Sequence, residues 1–224
     1  MFILINKTNL ILGCSGQDGS FLSKSLLEKG EKVIGITRSA QGKIKNHIKL
    51  GIEKDIEIKE GNIKNFQTLE EIISQYKPNR IFNMAAQSSV GKSIQEPIDT
   101  IEGIVNGTLN LLEASRKLNY SGRIFFAGSS YIFGNIKDKA DIYYPQNPSS
   151  PYAIAKQASF NLVKMYREVY SLNCMTGILF PHESNLRDDS FVTQKIITTV
   201  KQIVKNKDIK LRVGNIDIIR DWGW

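Results

Sequence analysis

Short apolar runs and longer mixed stretches take turns along most of the chain. Asn9 to Leu12, Lys32 to Thr37, Ile56 to Lys59, Arg80 to Met84, Arg123 to Ala127 and Asn173 to Leu179 are brief and rich in Ile, Phe, Leu and Val. Runs of that length between polar turn residues predict buried strands. Between them the apolar positions shift to helical spacing. Gly19 to Lys29 is one such stretch, and Phe66 to Tyr76 sets Phe66, Leu69, Ile72 and Ile73 on one face. Ile98 to Leu118 and Ser150 to Tyr170 are longer. Strands alternating with helices predict a parallel sheet covered on both faces. Right-handed crossovers then make a doubly wound α/β fold of the Rossmann type. The irregular stretch from Gly134 to Ser149, rich in Pro, Asn and Asp, stands just before the helix at Ser150. Substrate-covering loops occupy such places.

After Phe180 the pattern changes. Pro181 to Asn185 reads as a loop, Phe191 to Lys205 as a helix, and Ile209 to Val213 and Ile216 to Ile219 as short strands. The last residues, Asp221-Trp222-Gly223-Trp224, carry two indoles and no polar tail. We therefore expect residues 1–180 to form the dinucleotide-binding domain. Residues 181–224 would be an incomplete, truncated C-terminal substrate domain.

Composition narrows the classes. The 224 residues suffice for one full domain with part of a second, and 41% hydrophobic with 23% charged residues is ordinary for a globular chain. No apolar stretch approaches the roughly 20 residues of a membrane helix, so no membrane partner is expected. Met1-Phe2-Ile3-Leu4-Ile5 has no basic segment ahead of it and is too short for a signal peptide. Two cysteines, Cys14 and Cys174, make no disulfide framework, and two histidines without nearby cysteines make no zinc pattern. A cytoplasmic, metal-free protein is the expectation. The net charge of +8 is dispersed, with no basic run interleaved with aromatics. That argues against nucleic acid and suits a small anionic ligand such as a dinucleotide or a sugar nucleotide.

The candidate chemistry begins at Gly13-Cys14-Ser15-Gly16-Gln17-Asp18-Gly19, between the first strand and the first helix. A strand, a glycine turn and a helix start direct backbone N–H groups and the positive helix end at one point, which suits a pyrophosphate. Gly13 would permit the turn, Gly16 close approach of the phosphates, and Gly19 tight helix–strand packing. Such turns also occur without a ligand. Further along, Tyr152 and Lys156 stand one helical turn apart, and this is the only tyrosine of the eight with a lysine four residues after it. Moving a phenol from about 10 to about 7 costs roughly 4 kcal/mol, and an ammonium about 4 Å away supplies a similar energy at an effective dielectric near 20. Ser129 and Ser130 follow the strand Ile124-Phe125-Phe126-Ala127. In an open parallel sheet the ligand binds at that end. After the second strand, where an NAD site carries an acid, stands Arg38. A guanidinium there suits the 2′-phosphate of NADP, although a solvated loop charge reads the same way.

Ser129, Tyr152, Lys156 and the glycine turn together resemble the extended short-chain dehydrogenase/reductase family. Further stretches narrow the resemblance: Asn83-Met84-Ala85-Ala86-Gln87-Ser88-Ser89-Val90-Gly91, Gly177 to Phe180 with His182-Glu183-Ser184, Phe191 to Lys195, and Gly214-Asn215 with Arg220 to Gly223. In that order they look like GDP-mannose 4,6-dehydratases from Asn9 onward. The resemblance implies that Asn62 and Ile63 border the adenine, where the family has aspartate in place of Asn62. It places Ala85, Ala86 and Gln87 along the cofactor, and His182 and Arg187 near its nicotinamide half. Ser88, Lys195 and Arg220 would face a GDP-hexose substrate, in a homo-oligomer. The implied reaction oxidises C4, eliminates water across C5 and C6, and reduces C6.

Two positions depart from that pattern. The carboxylate that removes the C5 proton lies two residues after the position of Ser129, and here it is Tyr131. A neutral phenol is a poor base near pH 7, and general acid–base help is worth about 10²–10⁴-fold. At Pro181 the family has asparagine, and proline offers neither an amide side chain nor an N–H. Asp138, Asp141 and Glu183 are out of register to replace the base. Two alternatives therefore stand beside the dehydratase: a GDP-keto-sugar reductase or 4-epimerase, and a catalytically degenerate NADP-binding protein.

Overall fold

The computed structural model describes residues 7–38, 44–136, 139–214, 216–217, 219 and 221–224. Six parallel strands, β1 (Thr8–Leu12), β2 (Lys32–Thr37), β3 (Glu57–Glu60), β4 (Arg80–Asn83), β5 (Arg123–Ala127) and β6 (Cys174–Gly177), lie in the order β3-β2-β1-β4-β5-β6. The order reverses at β1, so the chain winds outward from the centre in both directions, as expected of the doubly wound fold. The helices are α1 (Gln17–Leu27), α2 (Lys45–Leu50), α3 (Phe66–Tyr76), α4 (Val90–Gln95), α5 (Pro97–Ile101), α6 (Gly107–Lys117), α7 (Pro151–Val169) and α8 (Val192–Lys205).

Alternation along the strands builds two cores. Leu10 and Leu12 of β1, Ile34 and Ile36 of β2, and Ile81 of β4 face one cluster, shared with Leu69, Leu111 and Val163 of α3, α6 and α7. Ile11 and Val33, one residue out of phase, face the other with Leu26 of α1. A one-residue slip would exchange the faces, so burial on both sides fixes the register.

The expected helix over residues 98–118 is three segments in succession: α5, a π-helical turn (Glu102–Asn106) and α6. The Ile104 carbonyl in the wide turn accepts from Thr108 Oγ1 (2.7 Å) and from Ser159 Oγ of α7 (3.2 Å). Those hydroxyls share the carbonyl with the Gly107 N–H, which also donates to it at the end of the wide turn. The strands expected over 209–213 and 216–219 do not form among the described residues. Their apolar patterning is local, whereas a strand needs a neighbour to complete its ladder, and none of the six strands pairs with them.

Two compact units divide the chain, Met1–Leu179 and Phe180–Trp224. The first holds the whole sheet. In the second, Gly223 N–H donates to Pro181 O and Glu183 N–H to Gly223 O, both at 2.9 Å, so its two ends are tied to each other. At the N-terminal ends of the strands lies an open groove of about 740 Å³, lined by Lys77, Asn79, Asn119, Tyr120, Arg123 and Asn173 among others. No helix among the described residues is long and apolar enough to cross a membrane, and these residues hold no cluster of metal-ligating side chains.

Candidate active site

The glycine turn leaves β1 with Gly13 at φ +81°, a left-handed conformation that a side chain disfavours. A Cβ there would also stand 2.8 Å from the Ala85 backbone, because the chain leaving β4 lies against the turn. At Gly19 a Cβ would sit 2.4 Å from Gly13 O and 2.8 Å from Cys14 Cα, so helix and turn touch without room for a methyl. Gly16 differs. The nearest atom to its imagined Cβ is Gly13 O at 3.4 Å, which leaves its outer side open. Gly16 also begins α1, and its own position adds no side-chain cap. Open space over a helix start is what a pyrophosphate requires.

The turn is braced from below. Gly13 N–H donates to Ile36 O (3.0 Å) and Gly16 N–H to Gly13 O (3.2 Å). The Ser15 and Thr37 hydroxyls meet at 3.3 Å, and Gln17 Nε2 donates to Asp18 Oδ1 at 3.1 Å. Two further braces come from α2, a helix that the apolar pattern does not disclose. Asn46 Nδ2 donates to Ser15 O (3.1 Å), and His47 Nε2 lies 2.9 Å from Cys14 O. The sequence does carry one signal for α2: Gly51 after Lys49-Leu50, found at φ +69° as a helix stop.

At the same strand ends stand Ser129, Tyr152 and Lys156. Ser150 accepts from Ala153 N–H (3.2 Å) and, with Pro151, starts α7. That start puts Tyr152 in the first turn and Lys156 one turn later, both buried. Lys156 Nζ donates to Ala127 O, the last residue of β5, at 2.6 Å and lies 5.7 Å from the Tyr152 ring centre. Burial pushes its pKa down to about 8, while the Asp18 carboxylate at the start of α1 acts to raise it. The ammonium is therefore within electrostatic reach of the glycine turn. Ser129 is buried, and its hydroxyl accepts from Tyr131 N–H at 3.3 Å. Tyr131 turns its ring edge-on to Tyr152, with centres 6.0 Å apart.

The remaining expected contacts ring this centre or lie in the second unit. Arg38 follows β2 and is exposed. Asp99 is held below its ordinary range first by its bond to Lys64 (2.6 Å), with smaller help from Arg38 and Lys92. Asn62 accepts from Lys64 N–H (3.0 Å), and Asn110 Nδ2 holds Ile63 O at 3.2 Å. Ala85 is half-buried, and Ala86 and Ser88 are exposed, on the stretch after β4. Gln87 Nε2 donates to Thr100 Oγ1 at 3.3 Å.

Within the second unit, His182 Nδ1 lies 2.7 Å from Phe180 O, and the Arg187 guanidinium stacks on Phe191 at 3.7 Å. Lys195 is exposed on α8. Arg220 and Asp138 lie outside the described residues. Glu183 pairs with Arg187 and accepts from Thr193 Oγ1, and Asp141 accepts from Tyr143 N–H in a surface turn. Both carboxylates are engaged locally.

Known proteins resemble this chain in sequence and in fold. The sequence model of the GDP-mannose 4,6 dehydratase family matches residues 10–224. GDP-mannose 4,6 dehydratase 1 of Arabidopsis thaliana is 37% identical over 229 residues, covering 97% of this chain and 63% of its own length. The GDP-mannose 4,6-dehydratase of Vibrio cholerae serotype O1 is 36% identical over 229 residues, covering 97% and 61%. The chain thus spans about three fifths of the length of these relatives. Among solved structures, the UDP-glucose 4-epimerase of Thermotoga maritima with UDP-glucose superposes with a TM-score of 0.82 at 24% identity, covering 96% of this chain and 68% of that one. A double mutant of the dTDP-glucose 4,6-dehydratase DesIV of Streptomyces venezuelae, with NAD and DAU bound, gives 0.83 at 20% identity, covering 96% and 67%. On the extent of the family match and the identity to its members, the chain belongs to the GDP-mannose 4,6 dehydratase family.

Proposed function

We propose that the chain is the dinucleotide-binding part of an NADP-dependent enzyme acting on a nucleotide sugar, most like a GDP-mannose 4,6-dehydratase. One observation carries the reading: Lys156 bonded to the end of β5, beside Tyr152 and within reach of the Asp18 charge at the glycine turn. A nicotinamide dinucleotide, when bound, supplies hydride acceptance and donation. The open side of Gly16 would take its pyrophosphate, Arg38 its 2′-phosphate, and the Asn62–Ile63 stretch its adenine. Tyr152 would accept the C4 hydroxyl proton, Lys156 would favour the phenolate, and Ser129 would orient the hydroxyl. His182 and Arg187 are proposed near the nicotinamide half, and Ser88, Lys195 and Arg220 at the GDP-hexose. Exposed apolar residues on α4, α5 and α7 (Ile94, Ile98 and Ile154) favour a second copy as partner, in a homo-oligomer.

The elimination step has a specific obstacle. Tyr131 packs edge-on against Tyr152 where the family's carboxylate is expected. A phenol in place of the carboxylate favours the second reading, a keto-sugar reductase or 4-epimerase with the same redox centre. Incubating the protein with NADP⁺ and GDP-mannose and weighing the product separates the two. Loss of one water supports dehydration, and changed stereochemistry at constant mass supports epimerisation. Tyr131→Glu is expected to raise dehydration by about 10²-fold or more. NADPH binding with neither product would leave the degenerate binder.

A further inference from the structure

His47 is among the most deeply buried polar residues of the protein, at 0% exposure, and Asn46 beside it is at 5%. Neither belongs to the redox centre. Asn46 Oδ1 and His47 Nδ1 find no donor among the described residues. Leaving buried acceptors unpaired is costly, so the contacts these side chains do make call for a reason.

Those contacts fall on successive peptides of the glycine turn. A carbonyl oxygen only accepts, so the His47 nitrogen facing Cys14 O at 2.9 Å carries the hydrogen. Ser20 Oγ donates to the same carbonyl at 3.0 Å. Asn46 Nδ2 donates to the next carbonyl, Ser15 O, at 3.1 Å. In a trans peptide the C=O and N–H point opposite ways. Drawing Cys14 O toward α2 therefore turns the Ser15 N–H away from α2. Drawing Ser15 O the same way aims the Gly16 N–H at Gly13 O, 3.2 Å distant, which closes the turn. With glycine at 13, 16 and 19, the turn has few side chains of its own to hold these planes.

We propose that His47 and Asn46 are positioning residues that fix the peptide planes of the phosphate-binding turn, so that the Ser15 N–H is turned away from α2 and the turn is held closed by the Gly16 N–H before the dinucleotide arrives. This rests on the dinucleotide reading above. Affinity gained in this way comes from preorganisation, without a contact between either side chain and the ligand.

The test is NADPH titration of the full chain by nicotinamide fluorescence, well below the melting midpoint of each variant. His47→Leu is expected to weaken NADPH binding about tenfold. His47→Gln, whose amide reaches as far as Nε2 and donates, should recover most of that loss. Asn46→Leu should weaken binding similarly, and it carries the test if His47→Leu does not fold. Unchanged affinity in His47→Leu and Asn46→Leu overturns the proposal, as does an equal loss in His47→Leu and His47→Gln. If the unaltered protein itself fails to bind NADPH, the dinucleotide reading falls and takes this inference with it. Binding by the unaltered protein with indifferent variants sinks this inference alone.

Discussion

Lys156 is pulled in two directions. Burial among α7 and β5 lowers its pKa to about 8, and the Asp18 carboxylate acts against that shift. In the unfolded chain the group returns to its ordinary 10.5. Between those values the unfolded state holds more protons, so stability rises with pH across the window. Below about 8 the full cost of burying the cation is present. A shift of this size corresponds to about 3 kcal/mol. Urea midpoints between about pH 7 and 10 are expected to climb in the unaltered protein and to flatten in Lys156→Met. Parallel slopes in the two would contradict the assignment. The Tyr152–Lys156 pair is legible in the sequence because helical spacing alone puts the two on one face. The Ala127 carbonyl that anchors the lysine is 29 residues away, and only the folded crossover brings it near. His47 is less legible still, since a six-residue helix has too few apolar positions to show a period.

At the scale of the elements, glycines of one motif separate by what surrounds them. Gly19→Ala drives a methyl into Gly13 O at 2.4 Å, and backbone cannot yield as a side-chain tip can. We expect a loss of about 1–3 kcal/mol or more in stability. Gly16→Ala meets nothing closer than 3.4 Å at φ −70°, so stability should fall only by the cost of alanine at a helix N-cap, about 1 kcal/mol or less. NADPH affinity should nevertheless fall about tenfold, because the methyl occupies the side proposed for the pyrophosphate. Thermal melting and NADPH titration of both variants check the contrast. The sequence places all six strands to within a few residues, although only β1, β2 and β5 carry runs of buried residues and β3 has none that is fully buried. It also predicts strands at 209–213 and 216–219 that do not form among the described residues. Apolar patterning can propose a strand, but the partner is a property of the fold.

For the whole molecule, the doubly wound order gathers at one end of the sheet the proposed cofactor and redox groups that the first unit holds. Gly13 follows β1, Arg38 follows β2, Asn62 lies just beyond β3, Ala85 beyond β4 and Ser129 beyond β5. That arrangement is contained in residues 1–179, the unit that holds all six strands. A protein ending at Leu179 is expected to bind adenosine 2′,5′-bisphosphate as the full chain does. On the proposed roles of His182 and Arg187 it should hold NADPH more weakly. Calorimetric titration of both lengths with both ligands measures this, and equal NADPH affinity would remove those two residues from the proposed site.

The opposite rim of the sheet carries none of these groups. There Asn119 turns at φ +49° and Asn119 and Ser121 are exposed, beside the open groove that ends at Arg123 and Asn173. A short peptide tag spliced between Asn119 and Tyr120 would hang from that rim, a sheet's length from the groups proposed for the reaction. A tether to a surface or a carrier fused at that point is expected to leave the rim proposed for the dinucleotide facing the solution.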